Sequence, residues 1–170
     1  LTDQCKKINP SVNVSSKNKR FECFSDINNY DIIFDCSDNI GTRYFINEVA
    51  HKKKMILVSG SATQLEGQIG IFKSWIDKFQ PCYQCVFPKT VENHTNYNCR
   101  EAGILGSVTN LIASMQVTEA IRESLRKKNF KKNNLFLNKS NLGYLMLYDA
   151  SLQEINKIKI NKNKNCPICN

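Results

Sequence analysis

Two pairs of cysteines have the spacing of metal ligands. Cys82 and Cys85 form one CxxC motif, and Cys166 and Cys169 form a second one at the end of the 170-residue chain. A two-residue spacer lets one tight turn direct two sulfur atoms at one ion, and four thiolates about 2.3 Å from the metal are a common ligand set of structural zinc. The spacing predicts a zinc site with four cysteine ligands that fastens the C-terminal segment to a mid-chain loop. Two unrelated CxxC turns, or a redox pair, are the alternatives.

A second group of polar residues follows a run of β-branched and aromatic side chains, in the segment DIIFDCSDN. The run predicts a buried strand that presents Asp35 and Asp38 at its C-terminal end. Carboxylates in this position can hold a magnesium ion and, through it, the phosphates of a nucleotide. Asp and Asn also end strands and cap helices, so helix capping is the alternative explanation.

Length and composition favour one soluble domain in a reducing compartment. A chain of 170 residues with 41% hydrophobic residues can fill one core, and it contains no apolar run long enough to span a membrane. Eight cysteines in a chain of this length, four of them in CxxC pairs, favour metal binding or catalysis over a disulfide framework. We therefore expect a cytoplasmic protein without a membrane partner.

The net charge of +9 is concentrated in one part of the sequence. Residues 122–164 contain 11 Lys or Arg against 3 Asp or Glu, a balance of +8, so the rest of the chain is close to neutral. For this reason nucleic acid is not the expected partner. The alternative from another class of proteins is a zinc-stabilised basic module that binds RNA or another polyanion, with Phe130, Phe136 and Tyr144 available for base stacking.

The order of the apolar segments predicts an α/β fold with a parallel sheet. DIIFDCSDN, MILVSG and EGQIGIF have the composition of strands, and a helix that begins near Ile40 separates the first two. Strand, helix and strand in this order are typical of a parallel sheet whose functional edge lies at the strand ends. The N-terminal segment predicts the last turns of a helix, stopped by Asn9 and Pro10, and then a short strand at residues 12–14.

The second half of the chain predicts a loop, a long helix and a hairpin. Residues 73–98 have no sustained period and contain Pro81 and Pro88, so we expect a long crossing loop around the first CxxC motif. Residues 103–126 repeat apolar side chains at helical spacing. The segments GYLMLYDA and LQEINKIKI have the pattern of a C-terminal β-hairpin.

Five segments occur in a particular order along the chain: DCSDNIGTRYFIN, LVSGSATQLEGQI, PCYQCVFP, NCREAGILGSVTNLIASMQVTEAI and CPICN. In that order they resemble the successive motifs of the ThiF/MoeB family of ubiquitin-like-protein activators. The family includes molybdopterin-synthase and tRNA-thiolation sulfurtransferases and is related to the ubiquitin-activating enzymes. The resemblance extends from about residue 2 to residue 170 and implies an incomplete Rossmann-like sheet.

The resemblance implies an ATP-dependent adenylyltransferase. In the family, the C-terminal carboxylate of a small ubiquitin-like sulfur-carrier protein ending in Gly-Gly attacks the α-phosphate of ATP, which gives an acyl-adenylate and pyrophosphate. By position, Asp38 matches the residue that holds magnesium and the ATP phosphates, and Asn39 and Arg43 match polar positions beside it. A salt bridge on the helix is the alternative role of Arg43. The family's zinc ligands correspond to Cys82, Cys85, Cys166 and Cys169.

The resemblance also singles out Cys99. It matches the position at which sulfur-transferring members carry a reactive cysteine, whose thiolate or persulfide attacks the adenylate. The adjacent Arg100 and the start of a helix would favour the thiolate. A spectator thiol is one alternative, and a ubiquitin-activating-type enzyme that forms a thioester for conjugation is another. Cys5, Cys23 and Cys36 are expected to be small apolar fillers.

Part of the family's pattern has no match in this sequence. A phosphate cradle needs glycines so that backbone N–H groups can approach the anion, yet the seven glycines form no GxGxxG motif. We therefore expect residues 1–170 to be the C-terminal part of a ThiF/MoeB-like adenylation domain, with the N-terminal nucleotide-binding half absent. Such a chain is either a fragment or a degenerate subunit, with a homodimer or a partner chain supplying the missing half. Alone it is expected to be inactive.

Overall fold

The computed structural model describes residues 1–22, 27, 30–89, 103–127 and 140–170, and it has an α/β fold with one five-stranded sheet. The strands, which follow one another in the sheet in chain order, are β1 (Ile32–Asp35), β2 (Ile56–Thr63), β3 (Glu66–Phe72), β4 (Tyr144–Asp149) and β5 (Glu154–Lys159). The helices of the described residues are α1 (Thr2–Ile8), α2 (Ile40–Lys52), α3 (Tyr83–Val86) and α4 (Gly106–Lys127). None of these helices combines the length and the hydropathy of a membrane-spanning segment.

The sheet is mixed. Strands β1 and β2 pair in parallel, because helix α2 carries the chain back along the sheet between them. The other three pairs of neighbouring strands are antiparallel, so the expectation of a parallel sheet is wrong beyond β1 and β2. The physical reason is the connection after β2, where Gln64 and Leu65 alone separate it from β3. Two residues can close a hairpin, whereas a parallel crossover needs a dozen or more.

Helices cover both faces of the sheet, and alternation along β2 decides which side chain faces which helix. Leu57 packs in a buried cluster with Val49 and Ala50 of α2. Its neighbour Val58 points to the opposite face and packs with Ala120 of α4. The apolar segment at MILVSG is therefore buried on both sides, as its composition predicts.

Helix α4 lies directly on the backbone of the β2–β3 hairpin, and a glycine makes this possible. A Cβ atom at Gly67 would come within 2.5 Å of Cγ1 of Ile112 and 3.2 Å of Cγ1 of Val108. A side chain at position 67 would force the side chain of Ile112 to shift. Gly67 thus sets the close approach that places α4 over the ends of the two strands.

Most of the elements that the sequence predicts are present. Helix α1 ends at Ile8, α4 covers the predicted long helix, and β4 and β5 form the C-terminal hairpin. The α/β class is confirmed. The strand expected at residues 12–14 does not form, because it would need a neighbouring strand to satisfy its backbone groups. The expected crossing loop contains the one-turn helix α3, and its residues 90–98 lie outside the described part of the chain.

Candidate active site and metal centre

Asp35, the last residue of β1, is the centre of the strand tip and is only 1% exposed. Its Oδ1 accepts hydrogen bonds from the backbone N–H of Ser37 at 3.0 Å and from Oγ of Ser37 at 2.6 Å. Its Oδ2 accepts from Oγ of Ser59 at 2.8 Å and lies 3.4 Å from Nη1 of Arg43. Both carboxylate oxygens are therefore occupied by protein donors, which makes Asp35 a structural residue of the tip.

Arg43 connects three elements at this tip. Besides its ion pair with Asp35, it donates through Nη1 to the carbonyl oxygen of Gly60 on β2, at 3.2 Å, and through Nη2 to the carbonyl oxygen of Ser37. Its side chain is 10% exposed. The salt bridge that the sequence left as an alternative does form, but it joins helix α2 to the ends of β1 and β2 and is not confined to the helix surface.

Asp38 and Asn39 lie on the exposed side of the same tip. Asn39 is the N-cap of α2, and its Oδ1 accepts from the backbone N–H of Thr42 at 2.8 Å, so helix capping explains this residue. Within the described residues, the side-chain partner of Asp38 is Nδ2 of Asn39, at 3.4 Å. Of the two aspartates that the sequence places at the strand end, Asp38 is the one whose carboxylate remains accessible to a cation.

A cleft of about 230 Å³ opens beside Asp38. Cys36 and Gly60 line it from the strand ends, and Ile112 and Gln116 line it from α4. Gln116 is buried, and its Nε2 donates to the carbonyl oxygens of Asp35 and Val58, both at 3.2 Å. Gln116 is not among the residues predicted above, although a polar residue on the apolar stripe of a helix is a signal for a buried hydrogen bond.

A second cleft, of about 310 Å³, lies on the face of the sheet beyond the end of α2. Strand β2 contributes Ser61 and Thr63, β3 contributes Gln68, and β4 contributes Leu147. Ser61 lines both clefts, so the two are neighbours. The end of β2 therefore borders both clefts.

The four cysteines of the CxxC motifs form one cluster, in which all four Sγ atoms lie within 4.8 Å of one another. Cys82 and Cys166 are 3.5 Å apart, as are Cys85 and Cys169, and Cys82 and Cys85 are 3.9 Å apart. A tetrahedral site with metal–sulfur bonds of about 2.3 Å has sulfur–sulfur edges of about 3.8 Å. All four thiols are free, and the cluster can hold a metal ion. The alternative of two unrelated turns is thereby excluded.

Local structure aims these sulfur atoms at one another. Cys82 is the N-cap of α3, and the backbone N–H of Cys85 donates to its carbonyl oxygen at 3.1 Å. The hydrogen bond between the two thiols raises the pKa of Cys82, with burial adding to the effect, and lowers the pKa of Cys85 to about 4. Of Cys82 and Cys85, the second therefore forms a thiolate more easily, and a metal ion would replace the remaining protons.

The other predicted cysteines have different outcomes. Cys5 and Cys36 are exposed, so the expectation that they fill apolar space is wrong for both. Cys36 follows a strand whose last buried residue is Asp35, and the chain turns outward there. Cys23 and Cys99 lie outside the described residues. The role of Cys99 stays a prediction.

The profile of the ThiF family matches residues 1–168. The chain belongs to the ThiF family. It is 34% identical over 167 residues to the adenylyltransferase and sulfurtransferase MOCS3 of Drosophila grimshawi, a match that covers 96% of this chain and 34% of that protein. It is 30% identical over 167 residues to the sulfur carrier protein adenylyltransferase of Thermus thermophilus, covering 95% of this chain and 58% of that protein. This ThiF-family chain thus spans about a third of the MOCS3 relatives that it matches.

Solved structures show the same fold. Escherichia coli MccB with ATP superposes with a TM-score of 0.70 at 13% identity, over 99% of this chain and 48% of that one. MccB with selenomethionine MccA superposes with a TM-score of 0.72 at 11% identity, again over 99% and 48%. At these identities the likeness concerns the fold. Together with the family profile, it confirms the ThiF/MoeB resemblance that the sequence motifs indicated.

The two aspartates of the tip are expected to differ in their effect on stability. Asp35→Asn removes the charge that pairs with the buried guanidinium of Arg43, and breaking a buried ion pair on one side costs about 3–5 kcal/mol. Asp38→Asn changes an exposed carboxylate and should stay within about 0.5 kcal/mol of the wild type. Urea unfolding followed by circular dichroism measures both values. Equal losses for the two variants would contradict the structural role of Asp35.

Proposed function

We propose that this chain is the catalytic and metal-binding part of an ATP-dependent adenylyltransferase that activates a ubiquitin-like sulfur-carrier protein ending in Gly-Gly. The observation that supports the proposal most is the strand tip of this ThiF-family chain. Both carboxylate oxygens of Asp35 accept hydrogen bonds from protein groups, whereas Asp38 lines a cleft and its carboxylate is accessible. An exposed carboxylate held at a strand end is suited to a magnesium ion that carries nucleotide phosphates.

In the proposed reaction, Asp38 would hold a magnesium ion, and this ion would supply positive charge to the phosphates of ATP. Arg43 and Asn39 act on the position of Asp38, since Arg43 braces the tip and Asn39 caps the helix that follows it. The carrier's C-terminal carboxylate attacks the α-phosphorus and pyrophosphate leaves. The acyl carbon then has AMP as a leaving group, which a carboxylate by itself lacks.

The cleft on the face of the sheet is the proposed binding place of the carrier's C-terminal tail. A Gly-Gly tail is narrow and flexible, and the lining residues Ser61, Thr63 and Gln68 offer it hydrogen-bonding side chains along the way. At Ser61 this cleft adjoins the one beside Asp38. These features support an extended tail as the substrate, and the name of the Thermus thermophilus relative supports a sulfur carrier protein as its source.

Cys99 is the proposed acceptor of the activated carrier. Gly103, four residues later, accepts through its carbonyl oxygen from the backbone N–H of Gln64 at 3.1 Å, and the following Ile104 lines the cleft of Asp38. Cys99 thus precedes by only four residues in the sequence a segment that borders the cleft. In this step the Cys99 sulfur forms a bond to the acyl carbon and AMP leaves.

We also propose that the cysteine cluster holds zinc in a structural role. The donor set is all sulfur, the cluster is closed and mostly buried, and the sulfur–sulfur distances fit a tetrahedron. Zinc would join the loop that contains Cys82 and Cys85 to the C-terminal Cys166 and Cys169. No step of the proposed reaction passes through it.

Adenylation can be tested by ATP–pyrophosphate exchange. This chain has no match to the family's nucleotide loop, so a chimera would join the N-terminal part of the Thermus thermophilus relative to residues 1–170. We expect exchange that depends on a Gly-Gly carrier, a loss of about 10²- to 10³-fold in Asp38→Asn, and near-zero exchange by residues 1–170 alone. Asp3→Asn, which changes an exposed carboxylate in α1, is the matched control.

Three results would count against this proposal: a folded chimera without exchange, an Asp38→Asn chimera with unchanged exchange, or full exchange by residues 1–170 alone. The product on the carrier separates the two activities that share the adenylation step. A thiocarboxylate supports sulfur transfer, and a carrier joined to lysine supports ubiquitin-type conjugation.

Metal analysis tests the zinc proposal separately. Protein purified under reducing conditions is expected to contain one zinc per chain. Cys82→Ser should lose most of the metal and melt at a lower temperature, whereas Cys5→Ser, in an exposed thiol of α1, should keep both properties. Because protons compete with zinc for thiolates, the metal should be released as the pH falls. If the purified wild-type protein contains no zinc, and added zinc does not change its melting temperature, the cluster is not a zinc site.

A further inference from the structure

Asn47 is a buried polar residue of helix α2 that contacts the cysteine cluster. Only 2% of it is exposed, and it lies on the side of the helix that faces α3. Its Oδ1 accepts a hydrogen bond from the backbone N–H of Tyr83 at 2.9 Å. Its Nδ2 donates to Sγ of Cys82 at 3.5 Å. One amide group thus bridges the first two residues of the CxxC turn.

The orientation of this amide is fixed by the protein. A backbone N–H can only donate, so the Asn47 atom that faces Tyr83 must be the oxygen. The other end of the amide, which faces Cys82, is then the N–H donor. Consequently the sulfur of Cys82 is presented with a donor, which is the arrangement that a thiolate needs and that a thiol does not require.

Charge explains why such a donor is useful. Four thiolates with one divalent cation carry a net charge of −2, and burying that charge is costly unless polar donors compensate for it. Cys82 and Cys166 are 0% and 1% exposed, so water supplies little of this compensation to them. The N–H of Asn47 approaches Cys82 from the interior of the protein, where solvent does not reach.

We propose that Asn47 is a positioning residue of the metal centre: it stabilises the Cys82 thiolate and fastens the CxxC turn to helix α2. This inference rests on the proposed metal site. Asn47 also lies four residues after Arg43, so the same face of one helix contacts the cysteine cluster at one point and braces the strand tip at the other. Metal binding thereby supports the helix that holds the candidate active site.

The substitution Asn47→Asp separates this role from simple packing. An aspartate has the same shape and keeps an oxygen to accept from the N–H of Tyr83, but its second oxygen cannot donate to the sulfur and repels a thiolate. We expect metal affinity, measured by competition with a chelator, to fall by about 10- to 100-fold. The thiolate-to-cobalt absorption of the Co²⁺-loaded protein should shift as well, because one sulfur loses its hydrogen bond.

Asn141→Ala is the matched control. Asn141 is also a buried amide with two side-chain partners, Glu119 and Lys157, and neither of these partners is a cysteine. This variant is expected to lower stability while metal affinity and the cobalt spectrum stay as in the wild type. If Asn47→Asp does not fold, Asn47→Ser removes the donor without adding a charge and should still lose about tenfold in affinity.

The possible results separate the role of Asn47 from the existence of the metal site. Wild-type protein that binds neither Zn²⁺ nor Co²⁺ overturns the metal site itself, and the role of Asn47 with it. Wild-type protein that binds metal, together with an Asn47→Asp or Asn47→Ser variant of unchanged affinity and spectrum, overturns the role of Asn47 and leaves the metal site standing. A loss that is equally large in Asn141→Ala would also contradict it.

Discussion

The ion pair between Arg43 and Asp35 is the contact on which the strand tip depends. A carboxylate as buried as Asp35 is unfavourable unless an opposite charge and hydrogen-bond donors surround it. Arg43 supplies the charge, and its other N–H groups reach the carbonyl oxygens of Ser37 and Gly60. One guanidinium group therefore fixes β1, β2 and α2 relative to one another. Because Asp35 satisfies these donors, Asp38 is free to face the cleft from a well-defined position.

Helix α2 relates this tip to the cysteine cluster. Its N-cap Asn39, then Arg43 and then Asn47 follow at four-residue intervals, which places them along one side of the helix. The first caps the helix, the second braces the sheet, and the third contacts the ligand turn. A metal ion held by the cysteine cluster would therefore act on the same helix that positions Asp38. Under the proposed function, this arrangement gives a physical reason for a structural metal outside the reaction.

Local patterns in the sequence predicted the features that depend on spacing, and they missed those that depend on tertiary contacts. The CxxC spacing predicted the cysteine cluster, because each two-residue spacer fixes the direction of two sulfur atoms locally. Only one long-range contact, between the two turns, is then needed to form the cluster. The sequence could not tell which aspartate is buried, since the answer lies in the register that places Asp35 beside Ser59. The composition of EGQIGIF predicts a strand but not its direction. The direction follows from the two-residue connection after β2, which permits only an antiparallel hairpin. Asn47 and Gln116 were missed because their helical positions indicate burial but do not identify their partners.

The different roles of Asp35 and Asp38 can be seen directly in the position of the metal ion that binds with the nucleotide. Crystals of the chimera grown with ATP and Mn²⁺, in place of Mg²⁺, would locate the ion by anomalous diffraction. We expect an Mn²⁺ peak about 2.1 Å from a carboxylate oxygen of Asp38, with Asp35 still paired to Arg43. An Mn²⁺ ion bound to Asp35, or bound to nucleotide with Asp38 out of reach, would contradict it.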